Sequence, residues 1–232
     1  MAAFIDNPEI TLLPTLSAPE LRHWFRNNGF TVEREFYFSD VVYAPHNLPL
    51  PQPASKNLTP DELRAFLNFL EQSYLLRCYE DHGKPYFKVI KKTKLYDENG
   101  DILAETKDEL ATFSNRNQAH TYLDVLGYRP VAEVLDCTTV FVKDDLHLAL
   151  KEVPSLAPGG FYTPHLYIEI EGPALPTSLD APDFKEKVTA ARQALIDTVQ
   201  RISVPHVRGR YYNKKLVVAL TELEYEYNAP RA

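Results

Sequence analysis

Glu169 and Glu171 are separated by one residue and lie in the alternating run 163–172, which reads as a β-strand. Both carboxylates then project from one face and point at one cation. Hard divalent cations such as Mg²⁺ and Mn²⁺ take oxygen ligands of this kind. Arg77, Lys88 and Lys92 stand on other strand-like runs and supply the positive charge that phosphate groups need. Each set also has a plainer use: the glutamates as a solvated edge-strand pair, the bases as partners of nearby Glu105 and Glu109. His147 and His165 fall on the polar faces of their runs, as a metal ligand, a general acid or a structural hydrogen-bonding group. Arg208 and Arg210 flank Gly209 after the last helix, with Lys214 and Lys215 beyond, and read as a basic loop, either solvated or closing over an anion.

Positioning such groups needs strands with one polar face. Strand-like composition covers residues 9–13, 31–39, 73–80, 85–95, 101–109, 130–142, 145–152, 163–172 and 216–226. Leu166, Ile168 and Ile170 oppose His165, Tyr167, Glu169 and Glu171; Leu146, Leu148 and Leu150 oppose His147 and Lys151; Phe87 and Val89 oppose Lys88 and Lys92. Asp97-Glu98-Asn99-Gly100 and Lys143-Asp144-Asp145 read as hairpin turns. Four helices are expected. Ser17 and Glu20 form a capping box for the first, which Asn28-Gly29 ends. Thr59, Pro60 and Glu62 open the second. The third runs from near Ser114 to Gly127 and the fourth from about Pro182 to Ser203, each with an apolar stripe at helical spacing. The proline-rich stretch Pro45–Pro53 reads, with the second helix, as an insertion at about residues 44–72 of a single domain, 1–232.

The alternation has two solutions. Either the apolar faces form the core and the charged faces meet water, or the helices cover the apolar faces and the sheet curls its charges inward. The second concentrates Arg, Lys and Glu on a concave surface suited to a polyanion and a divalent cation. Either way the class is α+β, an antiparallel sheet or barrel with helices outside.

Composition narrows the function. With 232 residues, 44% of them hydrophobic, the chain buries a full core and is not disordered. A net charge of −7 argues against general nucleic-acid binding. Cys78 and Cys137 make neither a disulfide framework nor a Cys-rich zinc site, and read as free core thiols. No apolar run approaches the roughly 18 residues of a membrane span. The N-terminus lacks the basic-then-apolar form of a secretion signal, so the expectation is a cytoplasmic protein.

The order of elements resembles the CYTH superfamily, also called triphosphate tunnel metalloenzymes. Asn28 to Glu35 looks like its helix-to-second-strand junction, and Leu75 to Lys92 is similar to its Leu-Arg-x-Arg, turn and Lys-bearing strand. Lys107-Asp108-Glu109 stands in place of an Arg-x-Glu-x-Glu strand, Leu126-Gly127-Tyr128 resembles its Leu-Gly-Phe, and Tyr167 to Gly172 looks like the late hairpin ending in Glu-x-Glu. The sequence departs from the first-strand Glu-x-Glu-x-Lys: Glu9-Ile10-Thr11-Leu12-Leu13 keeps Glu9 alone. The competing match, Glu33-Arg34-Glu35-Phe36-Tyr37, keeps both glutamates on the second strand. Tyr79 replaces the second Arg of Leu-Arg-x-Arg, and Lys151 stands where an Asp is expected.

The resemblance implies a tunnel-like antiparallel β-barrel of about eight or nine strands with helices packed outside. It implies Mg or Mn held by Glu9, Glu169 and Glu171, with Arg77, Lys88, Lys92 and Lys107 on the phosphates of a nucleotide or other triphosphate-like small molecule. The chemistry would be phosphoanhydride cleavage or cyclisation, as in a triphosphatase or adenylate cyclase. The broken first-strand signature favours an alternative, a degenerate tunnel that binds an organic phosphate or nucleotide without catalysis. A structural partner protein with a solvated sheet face is a third reading.

Overall fold

The capping box forms as its residues dictate. The backbone N–H and the hydroxyl of Ser17 donate to Glu20 Oε2 at 2.8 and 2.5 Å, opening α1 (Ala18–Asn27). Gly29, at φ 83°, turns the chain out of it. α1 follows the short β1 (Glu9–Pro14) and leads into β2 (Thr31–Pro45). Then come α2 (Pro60–Gln72), β3 (Tyr74–Asp81), β4 (Lys84–Tyr96), β5 (Ile102–Phe113), α3 (Arg116–Val125), β6 (Tyr128–Lys143), β7 (Leu146–Val153), β8 (His165–Glu171), α4 (Phe184–Ile202) and β9 (His206–Tyr212). This is a computed structural model, and it describes residues 8–49, 60–81, 83–96, 102–153, 165–173, 175 and 181–212.

The nine strands form one sheet in the order β5-β4-β3-β2-β6-β7-β8-β1-β9. Every pairing is antiparallel. The sheet's outer face is apolar. Around β1, β7 and β8 it carries Ile10, Leu12, Leu148, Leu150, Ile168 and Ile170, which pack with Leu21 and Phe25 of α1 and Leu195 and Val199 of α4. Arg22 pins α1 there, donating to Thr139 at 2.8 Å and Glu152 at 2.5 Å. Further along, Ala119 and Leu123 of α3 cover Val41, Tyr43, Leu76 and Val89. α4 meets β5 as well as β1, near the two ends of the strand order. The sheet is therefore curled, and a helix bridges its margins; among the described residues no hydrogen-bond ladder closes it.

α2 does something different. Its Phe69 packs with Val42, Leu75 and Ile90, which alternate with the residues under α3 and so face inward. This explains why β2 runs six residues beyond its expected end. Val41 to Ala44 are buried on both sides, by α3 and by α2, so the alternation that marks a half-solvated strand disappears.

β9 is a correction. Arg208-Gly209-Arg210 belong to this strand, where a loop was expected, and it pairs with β1 through Thr11–Tyr212 and Leu12–Tyr211. Two arginines and a glycine interrupt the apolar alternation by which a strand is recognised in sequence. The expected strand 216–226, the turn 97–100, Lys214 and Lys215 lie outside the described residues. No described helix is long and apolar enough to cross a membrane.

The outer core should be sensitive to truncation under α1. Phe25 is fully buried, and its ring stacks on Phe141 at 4.4 Å. Phe25→Ala is expected to cost about 3–5 kcal/mol, read as a lower urea midpoint at unchanged slope.

Candidate functional site

The register of β1 against β8 sets Glu9 opposite Glu171 and Thr11 opposite Glu169, all on the inner face. One carboxylate oxygen from each of Glu9, Glu169 and Glu171 lies within 4.8 Å of the others. Thr11 is fully buried beside them, and its hydroxyl has no hydrogen-bond partner. Three carboxylate oxygens and an unsatisfied buried hydroxyl fit a hard divalent cation. Lys151 of β7 reaches the same place: its Nζ is 2.7 Å from Glu169 and 3.6 Å from Asp136 of β6. Asp136 in turn accepts a hydrogen bond from Thr138 Oγ1 at 2.6 Å.

The expected phosphate-binding bases lie across β3, β4 and β5. Arg77 sits opposite Lys88, and Lys92 opposite Lys107. Each has a carboxylate partner. Arg77 donates twice to Asp40, at 2.8 and 2.7 Å, and lies 4.1 Å from the Phe38 ring centroid. Burial, the largest single effect, works against its charge. The hydrogen bonds to Asp40 and the negative field of Asp40, Asp136 and Glu105 outweigh it and raise its pKa above the usual guanidinium range. Lys88 donates to Glu109 at 2.7 Å; that bond raises the pKa of the lysine and lowers that of the glutamate. Lys92 and Lys107 share Glu105, at 3.0 and 3.5 Å.

No protein-family model and no curated protein matches this sequence. Solved structures do. The PH1819 protein from Pyrococcus horikoshii OT3 superposes with a TM-score of 0.57 at 16% identity, over 93% of this chain and 98% of that one. A candidate adenylate cyclase from Vibrio parahaemolyticus gives 0.52 at 13% identity, over 94% and 98%. A chain of the Schizosaccharomyces pombe Mediator head module gives 0.51 at 10% identity, over 86% and 96%. The chain shares the fold of these structures, the candidate adenylate cyclase among them.

The strand register decides between the two first-strand matches. Glu33 and Glu35 diverge at a bulge in β2. Glu35 turns outward to Arg22 at 3.3 Å, while Glu33 lies 3.5 Å from His147 at the rim. Glu9 is the glutamate that joins the late Glu-x-Glu pair. His147 is half-exposed at the rim, away from the cluster, and His165 is described only by its backbone, opposite Val153. Cys78 and Cys137 are free and half-buried, and burial raises both thiol pKa values.

Three inner-face residues escaped sequence reasoning: Asp40, Asp136 and Thr11. A signal existed for two of them. Asp40 abuts the apolar run Val41–Ala44, and Asp136 shares the period-two face of Thr138. A carboxylate in such a run needs a base, here Arg77 and Lys151. Removing one partner should cost more than the pair contributes. Asp40→Ala, which strands the Arg77 guanidinium, is expected to lose about 3 kcal/mol in urea unfolding, and adding Arg77→Leu should restore most of it.

Proposed function

We propose that the inner face binds a small phosphorylated molecule, a nucleotide or another triphosphate-like compound, and acts at its phosphoanhydride bond with a divalent cation. The observation that carries this reading is the convergence of Glu9, Glu169 and Glu171 from two strands beside the unsatisfied Thr11 hydroxyl. The likeness to a candidate adenylate cyclase supports it at the level of fold.

The roles follow from charge. Glu9, Glu169 and Glu171 would hold Mg²⁺ or Mn²⁺. Such an ion, when bound, neutralises phosphate charge and lowers the pKa of the attacking oxygen. Arg77, Lys88, Lys92 and Lys107 line the approach. For each, binding exchanges a carboxylate partner for a phosphate oxygen, and the two acceptors are close in strength. Arg77 suits this best, because its planar fork meets either group through two parallel bonds. Attack by water would make the protein a phosphatase; attack by a ribose hydroxyl would make it a cyclase.

A second reading, binding without turnover, is favoured by one specific contact. The Lys151 ammonium lies 2.7 Å from Glu169 and already neutralises one of the three carboxylates. A fixed ammonium attracts phosphate but does not activate water.

Incubation with ATP or inorganic triphosphate, plus Mg²⁺ or Mn²⁺, followed by phosphorus NMR, separates the readings. Catalysis predicts a phosphate, pyrophosphate or cyclic-nucleotide signal, and a rate lowered at least about 100-fold by Glu171→Ala. Binding without turnover predicts unchanged ligand, with affinity that survives Glu171→Ala and fails with Arg77→Ala. Indifference of ligand to both substitutions would sink both readings.

A further inference from the structure

β2 and β3 pair from Tyr43–Tyr74 to Ser39–Cys78 and then part. β2 continues to Thr31 with β6 as its paired neighbour, so the curled sheet opens at this end. The opposite end is filled: Phe69 of α2 packs on Val42 and Leu75, and Val134, Val153 and Tyr167 form an apolar cluster with Leu13.

Two aromatic pairs stand at the open end. Phe36 and Phe38 are stacked along β2, with centroids 6.3 Å apart and planes 14° from parallel. Tyr79 and Tyr86 stack across β3 and β4 at 5.6 Å and 20°. Arg34 lies 5.3 Å from the Phe36 centroid, and Lys88 lies 5.6 Å from that of Tyr79. Phe36 is 38% exposed, on a face otherwise given largely to charged groups. A solvated phenyl ring there contributes nothing to the core.

The register ties Phe36 to the phosphate site. Phe36 is opposite Thr138, and Thr138 is opposite Lys151. Two interstrand spacings, about 10 Å, separate the backbones of Phe36 and Lys151. That is the scale of a ribose and its first phosphates.

We propose that Phe36, backed by Phe38, is a stacking platform for the aromatic base of a nucleotide, so that the ligand of this site is a nucleoside phosphate and not an inorganic polyphosphate. The inference rests on the phosphate-binding reading above and names its substrate class. Every nucleobase offers a flat π-face to an aromatic side chain, and a nearby guanidinium adds cation–π attraction. Covering the exposed ring removes apolar surface from water. The net charge of −7 opposes a nucleic-acid polymer, whose many phosphates would be repelled, far more than a single nucleotide.

The test is calorimetric titration of the full chain with ATP and with inorganic triphosphate in Mg²⁺ or Mn²⁺, using KM where turnover occurs. ATP should bind about tenfold more tightly than triphosphate. Phe36→Ala should lower the ATP-to-triphosphate affinity ratio by about tenfold, and Phe36→Trp should restore it. Equal affinity for the two ligands, or a ratio that Phe36→Ala leaves unchanged, overturns the platform while the phosphate site stands. If triphosphate fails to bind and Arg77→Ala changes nothing for ATP, the phosphate site and the platform fall together. Phe36 lies on an exposed strand, so circular dichroism should give the variants the wild-type melting profile.

Discussion

A charge withdrawn from water has to meet its opposite, and the inner face of this sheet is organised by that requirement. Lys151 has a side chain 10% exposed between carboxylates exposed 9% and 2%. Arg77 is held by Asp40 through two bonds, and Glu105 serves both Lys92 and Lys107. Side chains from β1, β2, β3, β4, β5, β6, β7 and β8 thus form a charge array that is satisfied only when the sheet is curled and in register. A slip of one residue in any strand would turn its charges into the outer core. The apolar packing of α1, α3 and α4 supplies the drive to fold, and the array selects the register in which it does so.

That same constraint shapes the chemistry. On the proposed reading, unpaired bases would be costly without ligand, whereas paired bases are stable and would exchange partners for an arriving anion. Affinity is then a difference between two similar interactions, and local geometry decides its sign. Glu9, Glu169, Glu171 and Thr11 are the departure from the pattern. There carboxylates converge on one another, one of them bridged by Lys151, and a buried hydroxyl goes unsatisfied. On the proposed reading, this local gathering of oxygen atoms is where a divalent cation would bind.

Legibility in the sequence followed the range of the forces. The capping box at Ser17 and the left-handed turn at Gly29 involve neighbours along the chain, and both could be read directly. Strand faces were readable wherever one side met a helix and the other a polar interior, as in β7 and β8. Reading failed where a strand is covered on both sides, at Val41 to Ala44, and where arginines and a glycine interrupt the alternation, at Arg208 to Arg210. Alternation reports a difference between two faces: at Val41 to Ala44 it vanishes because both faces are buried, and at Arg208 to Arg210 no apolar side chain marks one face from the other in the sequence.

Taken alone, the sequence determined the number and type of most elements, the residues of the outer core and which side chains share a strand face, because those depend on spacing of one to four residues. It also marked Glu169 and Glu171 as a pair. Only the tertiary structure decided that Glu9 joins them while Glu33 and Glu35 part, that Lys151 enters among the carboxylates, and that α2 closes one end of the inner face. Those outcomes depend on which strands become neighbours and how far the sheet curls. Residues far apart in the chain meet there, and no local periodicity records the meeting.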